Sequence, residues 1–83
     1  MNANPNIAQR IEEIIRQECD VPNTKKISLH TSISRDLGID TDDISYYLIP
    51  ALHKEFGRTL TLDQWLEIET LDDIVNAFKG DAN

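Results

Sequence analysis

The stretch 36–56 constrains the fold most, because it joins a turn, an acidic helix start and a helical repeat of apolar residues. In its second half, apolar residues recur every three or four positions, which is the spacing of one face of an α-helix. We place the N-cap of this helix at Asp40, because Ile39 and Ile44 then occupy the two positions of a hydrophobic staple. The pattern therefore predicts a helix over residues 41–56.

Two features of this helix are unusual. Asp36, Asp40, Asp42 and Asp43 place four carboxylates within eight residues, and a negative charge in the first helical turn is favoured by roughly 0.3–1 kcal/mol. Pro50 interrupts the apolar repeat, lacks the N–H that an α-helix needs there, and costs about 3 kcal/mol if nothing compensates. We therefore expect a kink at Pro50.

The outer face of the predicted helix becomes apolar after the acidic turn. Tyr46 and Ile49 fall on this face, with His53 one turn further along. If exposed, Tyr46 and Ile49 form a contact surface of the kind found at the centres of protein interfaces. The alternative is that one ring of the Tyr46-Tyr47 pair belongs to the core and the other is a single exposed ring.

Three further segments carry helix signals. Residues 5–19 have a stripe of isoleucines and predict the first helix, with Asn4 as its N-cap. Thr61 and Thr70 are both followed, three positions later, by a residue that completes a capping box. They predict a short third helix and a final helix that ends at Lys79. The residues predicted to face the core are Ile7, Ile11, Ile14, Ile15, Leu71, Ile74, Val75 and Phe78.

Residues 22–39 show no sustained periodicity, and loops of this length are uncommon in compact domains unless something holds them. We expect an ordered connection, with Ser32 or Ser34 capping a short turn before Gly38. No segment combines a strand pattern with a pairing partner, so we predict an all-α fold of four helices. The regularly spaced apolar residues predicted to pin the loop are Ile27, Leu29, Ile33 and Leu37.

Size and charge limit the possible partners. Eighty-three residues make one domain, 1–83, with 1–3 and 81–83 expected to fray. Residues 1–35 carry five Lys/Arg and four Asp/Glu, whereas 36–83 carry three and eleven. This acidic half argues against nucleic acid and membrane surfaces and favours a basic protein partner. The alternative is that the acidic surface only keeps the protein soluble.

The remaining chemistry-bearing residues do not form a recognisable site. The aspartates lack the glycine and glutamate spacing of a calcium loop, and the glycines are too scattered for a phosphate loop. His30 and His53 are isolated, and the single Cys19 offers no disulfide, zinc set or nucleophilic pair. We expect no metal site and no enzyme activity. With no apolar run of membrane-span length and no leader pattern, we expect a cytoplasmic monomer.

The layout as a whole resembles the acyl carrier proteins. The resemblance rests on Asp-Leu-Gly-Ile-Asp at residues 36–40, Leu-His-Lys-Glu-Phe at 52–56, and agreement from about Ile7 to Phe78. It is closest to a small group of bacterial acyl-carrier-like proteins of unknown function. It implies a four-helix bundle with a long ordered loop after helix 1 and a short third helix. It also implies a serine at the start of helix 2 that carries phosphopantetheine, whose thiol holds an acyl chain.

This sequence departs from that family at the serine. Counting forward from Gly38 puts Thr41 at the serine's place, and counting back from Leu52 puts Asp42 there, so one residue is inserted near the site. Ser45 is the nearest serine and falls one turn into the predicted helix. We therefore expect an acidic binding or regulatory module that docks a basic patch of a partner without phosphopantetheine. The alternative is a working carrier with its arm on Thr41 or Ser45. The predicted partner contacts are Asp36, Asp40, Asp42, Asp43, Tyr46 and Ile49.

Overall fold

The computed structural model describes residues 6–79, and within them the chain is all-α. The four helices are α1 (Ile7–Glu18), α2 (residues 41–56), α3 (Leu62–Leu66) and α4 (Leu71–Lys79). These residues contain no β-strand, and the one extended pairing among them is an isolated antiparallel bridge between Ser32 and Thr70. The prediction of an all-α chain with four helices is confirmed for this part of the chain. None of its helices is both long and apolar enough to cross a membrane.

Helix α1 is shorter than predicted. Its N-cap is Asn6, whose side-chain oxygen accepts the Ala8 N–H at 2.8 Å. The predicted start at residues 4–5 lies outside the described residues. The helix ends at Glu18 because Asp20 adopts a left-handed conformation, with φ at 59°. Of the four isoleucines of α1 predicted to face the core, Ile11, Ile14 and Ile15 are buried, and Ile7 is half-buried against the core.

The loop after α1 is held first by one arginine. The Arg16 guanidinium donates to the Pro22 carbonyl at 2.6 Å and to the Lys25 carbonyl at 2.8 Å. Glu12 accepts from the same guanidinium at 3.0 Å and fixes its orientation. Because these bonds involve a charged donor, they are stronger than neutral hydrogen bonds. They explain how a segment without periodicity stays ordered.

Apolar side chains hold the rest of the loop, although not all of those predicted. Ile27 and Ile33 are buried and Leu37 is half-buried against the core. The prediction that Leu29 pins the loop is wrong, because its side chain is 43% exposed. Leu29 contributes its backbone carbonyl instead, which accepts the N–H of Asp72 in the first turn of α4 at 3.0 Å.

A capped turn leads into α2. The Arg35 N–H donates to the Ser32 hydroxyl at 3.1 Å, and the Ser32 N–H donates to the Asp36 carboxylate at 2.8 Å. Ser32, rather than Ser34, is therefore the capping residue. Gly38 comes next with φ at 67°, a conformation that residues with a side chain adopt rarely. The turn uses the Asp36 carboxylate to order the backbone.

Helix α2 accommodates Pro50 by widening. It consists of the α-helical Thr41–Asp43, the π-helical Ile44–Leu48 and the α-helical Ile49–Phe56. The Ile49 N–H bonds to the Ile44 carbonyl, five residues back rather than four. A π turn holds one more residue than an α turn. The predicted disruption therefore takes the form of a π turn directly before Pro50. The helix ends as predicted at Gly57, whose φ is 68°.

Helices α3 and α4 begin at the predicted caps. The Gln64 N–H donates to the Thr61 hydroxyl at 3.2 Å, and the Thr61 N–H donates to the Gln64 side chain at 2.8 Å. Thr70 and Asp73 form the same reciprocal pair at 3.1 and 3.2 Å. Helix α3 is short, as predicted. It ends at Leu66, because the N–H of the next residue, Glu67, bonds three residues back to the Gln64 carbonyl.

An aromatic cluster joins the end of α2 to α3 and α4. The ring centroids of Phe56 and Phe78 lie 5.1 Å apart, and those of His53 and Trp65 lie 5.9 Å apart. The prediction that His53 belongs to the outer face is wrong, because its ring is half-buried and its Nε2 accepts the Leu60 N–H at 3.2 Å. The largest fully buried side chains of the core are Ile11, Ile15, Leu48, Leu52 and Ile74.

Candidate functional site at the start of helix α2

The start of α2 has the predicted cap position but not the predicted cap bond. Asp40 is extended, with φ at −68° and ψ at 152°, and its carbonyl accepts the Ile44 N–H at 3.0 Å. Its side chain makes no capping hydrogen bond. Ile39 is buried and Ile44 is half-buried, as the staple positions require. The helix start is therefore fixed by apolar packing, and the Asp40 carboxylate takes no part in it.

Three carboxylates at this start are exposed and unpaired. Asp40, Asp42 and Asp43, here named the acidic entry, form no ion pair with any residue between 6 and 79. Asp42 and Asp43 lie in the first turn of α2, where the helix dipole favours negative charge. Asp36 is also exposed, but its carboxylate is used in the Ser32 turn. Of the four aspartates predicted to contact a partner, the three of the acidic entry are those whose charges remain available.

An apolar cleft opens beside the acidic entry, between α2 and α3. Its volume is about 270 Å³. Glu69, Ser34, Thr41 and Ser45 supply its polar lining, and no Lys or Arg among residues 6–79 lines it. This space is here named the α2–α3 cleft. Its apolar lining includes Ile44, Leu48 and Ile49 of α2 and Leu62, Trp65 and Leu66 of α3.

The two candidate attachment hydroxyls both line this cleft. Thr41 is the first residue of α2, and Ser45 lies one turn further along, as the sequence predicted. The helix is π-helical at Ser45, which the sequence did not predict. Both residues are exposed. The structure therefore brings Thr41 and Ser45 together on one side of α2, with Ile49 half-buried in the same wall of the cleft.

The tyrosine pair is exposed as a whole. Tyr46 is 73% exposed and Tyr47 is 55% exposed, so the alternative that one of them is a core residue is wrong. The inward positions of this turn are taken by Ile44 and Leu48, and the two tyrosines fall between them. Tyr46 does not line the cleft, whereas Ile49 does. The predicted Tyr46–Ile49 surface is thus divided between the outside of α2 and the cleft.

Two exposed leucines on α3 were not predicted from the sequence. Leu62 is 72% exposed and Leu66 is 74% exposed, and both line the cleft. A helix of five residues is too short to show which of its apolar residues face outward. The sequence did carry one indication. Leu62 and Leu66 are four positions apart, and so lie on one face of the helix, on either side of the half-buried Trp65.

Other reactive groups are held in unreactive states. Burial, with smaller contributions from the negative charges of Asp43 and Glu18, raises the pKa of the Cys19 thiol to about 11. The thiol is therefore protonated at neutral pH and is a poor nucleophile. Within residues 6–79, no three His, Cys, Asp or Glu side chains lie together in a way that could hold a metal ion.

No protein-family model matches the chain.

Proposed function

We propose that this protein is an acyl-carrier-like, acidic binding or regulatory module that docks a basic patch of a partner protein and carries no phosphopantetheine. The order of its elements supports this proposal. A long connection held by Arg16 separates α1 from α2, and α3 has only five residues. Both features belong to the layout that the resemblance implies.

The observation that carries the docking proposal is the unpaired acidic entry. Asp40, Asp42 and Asp43 lie within four residues, are exposed, and have no cationic partner among the described residues. Like charges held close together repel one another, and a basic partner relieves that repulsion. At physiological salt, charges interact over roughly 8 Å, so the acidic entry acts as one patch that steers and orients a partner.

The π turn supports the proposal that the arm is absent. It holds one residue more than an α turn, which accounts for the one-residue mismatch between the two counting frames. Residues before Ile44 then match the family when counted forward from Gly38. Residues after Leu48 match it when counted back from Leu52. In this interpretation, Thr41 occupies the serine's place. Its β-branched side chain is stiffer and bulkier than serine, and a transferase selecting serine would handle it poorly.

The docking proposal is tested by removing the charges of the acidic entry. A partner is first identified by capture from the source cell, and its association rate is then measured against salt concentration. The triple variant D40N/D42N/D43N should associate more slowly and show a flatter salt dependence. The control removes three carboxylate charges that lie neither in the acidic entry nor at the α2–α3 cleft, with Glu13→Gln, Glu18→Gln and Asp72→Asn. Unchanged binding by D40N/D42N/D43N would defeat the proposal.

One observation favours a second candidate, a working carrier. Thr41 and Ser45 are both exposed and both line an apolar cleft next to a helix N-terminus. Helix N-terminal amides favour a phosphodiester, and an arm on either hydroxyl would hold an acyl chain near apolar walls. Intact mass after incubation with coenzyme A and a broad-specificity phosphopantetheinyl transferase decides between the two. We expect no added mass; a gain of one phosphopantetheine, lost in Thr41→Ala or Ser45→Ala, would establish the carrier instead.

A further inference from the structure

We infer that the α2–α3 cleft receives an apolar side chain from a cationic amphipathic helix of the partner. This inference rests on the proposed function and names the partner's chemistry. Its starting point is the exposure of Leu62 and Leu66, which are more than 70% exposed at the edge of an apolar cleft. In a protein with a net charge of −7, grouped exposed leucines mark a contact site rather than a solvated surface.

The cleft has room for a large apolar side chain. Its volume of about 270 Å³ lies near the lower end of the range of small-molecule pockets, which measure roughly 300–1,000 Å³. Interfaces commonly seat one large apolar or aromatic anchor in a pocket of this kind, surrounded by weaker contacts. Trp65 and Ile49 supply opposite walls, and the two exposed leucines extend the apolar surface outward from them.

The charges around the cleft select the occupant. Glu69 lines it, Asp63 and Glu67 flank the exposed leucines on α3, and the acidic entry adjoins it through Thr41. Arg35, a cation that approaches this rim, is already paired with Glu69 at 2.9 Å. An anionic occupant such as a fatty acid is disfavoured by this rim, whereas flanking Lys or Arg residues complement it.

The shape of the site favours a helical segment. Most of the lining comes from two helices, α2 and α3, and the space between two helices is a groove of the kind that accepts the apolar face of an amphipathic helix. Addition of an extended strand has no template within residues 6–79, where the Ser32–Thr70 bridge is isolated and belongs to no strand. The occupant is therefore an amphipathic helix that presents an apolar anchor between basic residues.

A built-in reporter makes this testable without knowing the natural partner. Trp65 is the only tryptophan of the chain and lines the cleft. The probe is a synthetic peptide of lysine and leucine with leucines at helical spacing, which contributes no tryptophan emission. We expect it to shift Trp65 emission to shorter wavelength as it binds. A scrambled peptide of the same composition, with equal charge but no apolar face, should not produce this shift.

The exposed leucines provide matched variants. The double variant L62S/L66S should weaken peptide binding by about tenfold or more, because two leucine contacts are lost. The control is Leu29→Ser, which changes an exposed leucine outside the cleft and should leave the affinity unchanged. Leu62 and Leu66 are largely exposed and Leu29 is 43% exposed, so the variants are expected to fold. Equal binding by L62S/L66S and the wild type would overturn the inference.

Other occupants give different results. If Trp65 responds to an uncharged medium-chain monoacylglycerol and not to the helical peptide, the cleft is an acyl site and the inference fails. If L62S/L66S abolishes a dimer seen by sedimentation, a second copy covers the cleft and the inference also fails. The acidic docking proposal is tested separately: D40N/D42N/D43N should flatten the salt dependence of peptide binding, whatever L62S/L66S does.

Discussion

Deletion of Tyr47 together with Pro50→Ala should turn the π turn of α2 into ordinary α-helix without loss of stability. Tyr47 is more than half exposed and lies within Ile44–Leu48, so its removal costs few contacts. Because the π turn holds one extra residue, the deletion leaves the residues on both sides in place. Core residues Leu48 and Leu52 then keep their positions.

The magnitude is set by the proline. With Tyr47 deleted, Pro50 lies inside a regular α-helix, where its ring clashes with the carbonyl four residues earlier and costs about 3 kcal/mol relative to alanine. The single deletion should therefore lower the free energy of unfolding by about 3 kcal/mol. Adding Pro50→Ala should restore it. Pro50→Ala alone should change it by less than about 1 kcal/mol, because the π turn already accommodates the missing N–H.

Deletion of Lys54 is the matched control. Lys54 is also exposed but lies in the α-helical part of α2. One missing residue there rotates the rest of the helix by about 100°. The rings of Phe56 and Phe78, whose centroids lie 5.1 Å apart, are then separated. The ion pair between Glu55 and Arg10, at 2.8 Å, is lost as well. Losing the Phe56 burial alone costs about 1–3 kcal/mol.

Urea unfolding monitored by circular dichroism measures all four variants, with linear extrapolation to water. The reasoning is refuted if Pro50→Ala fails to rescue the Tyr47 deletion. It is also refuted if deleting Tyr47 in the Pro50→Ala background costs as much as deleting Lys54.

Two further predictions concern the loop and the start of α4. Arg16→Lys keeps the charge but loses the planar group that reaches the Pro22 and Lys25 carbonyls; it should lower the free energy of unfolding by about 1–3 kcal/mol and speed hydrogen exchange in the loop. The amides of residues 69–70 donate to Asp73 and lower the pKa of its carboxyl below its usual value. Because the folded pKa is the lower one, this stabilisation is present above the unfolded pKa, near 3.9, and is lost as pH falls through the folded value. Asp73→Asn should therefore be less stable than wild type at neutral pH in urea titrations, with the difference shrinking below about pH 4; a constant difference would contradict this.

The elements that the sequence predicted are those governed by local rules. The caps at Asp40, Thr61 and Thr70 depend on residues within four positions. The buried residues of α4 recur every three or four positions along the chain. These signals located the starts of α2, α3 and α4. Leu29 was wrongly predicted to be buried because its spacing resembled that of its buried neighbours. In the structure its backbone carbonyl makes the contact, with a helix some forty residues later in the chain.

The candidate site was less predictable because it depends on two distant elements. Thr41 and Ser45 were recognised from their position near the start of α2, but the cleft that they line is completed by α3. Nothing in α2 alone indicates that Leu62 and Leu66 lie opposite. The π turn was also not predicted. Pro50 indicated that the helix is disrupted, but a kink and a widened turn both lack the same backbone hydrogen bond, so the sequence does not distinguish them.

The backbone bonds between the loop and α4 have a consequence for how the molecule opens. The first N–H groups of α4, at Leu71 and Asp72, have no partners within their own helix and bond to the carbonyls of Thr31 and Leu29. Detaching the loop therefore also exposes the first turn of the last helix to water. Segments far apart in the chain thus form one cooperative unit. The residue before the start of α2 is tied to the same unit, because the Ile39 N–H bonds to the Ile33 carbonyl and the Ile33 N–H bonds to the Glu69 carbonyl.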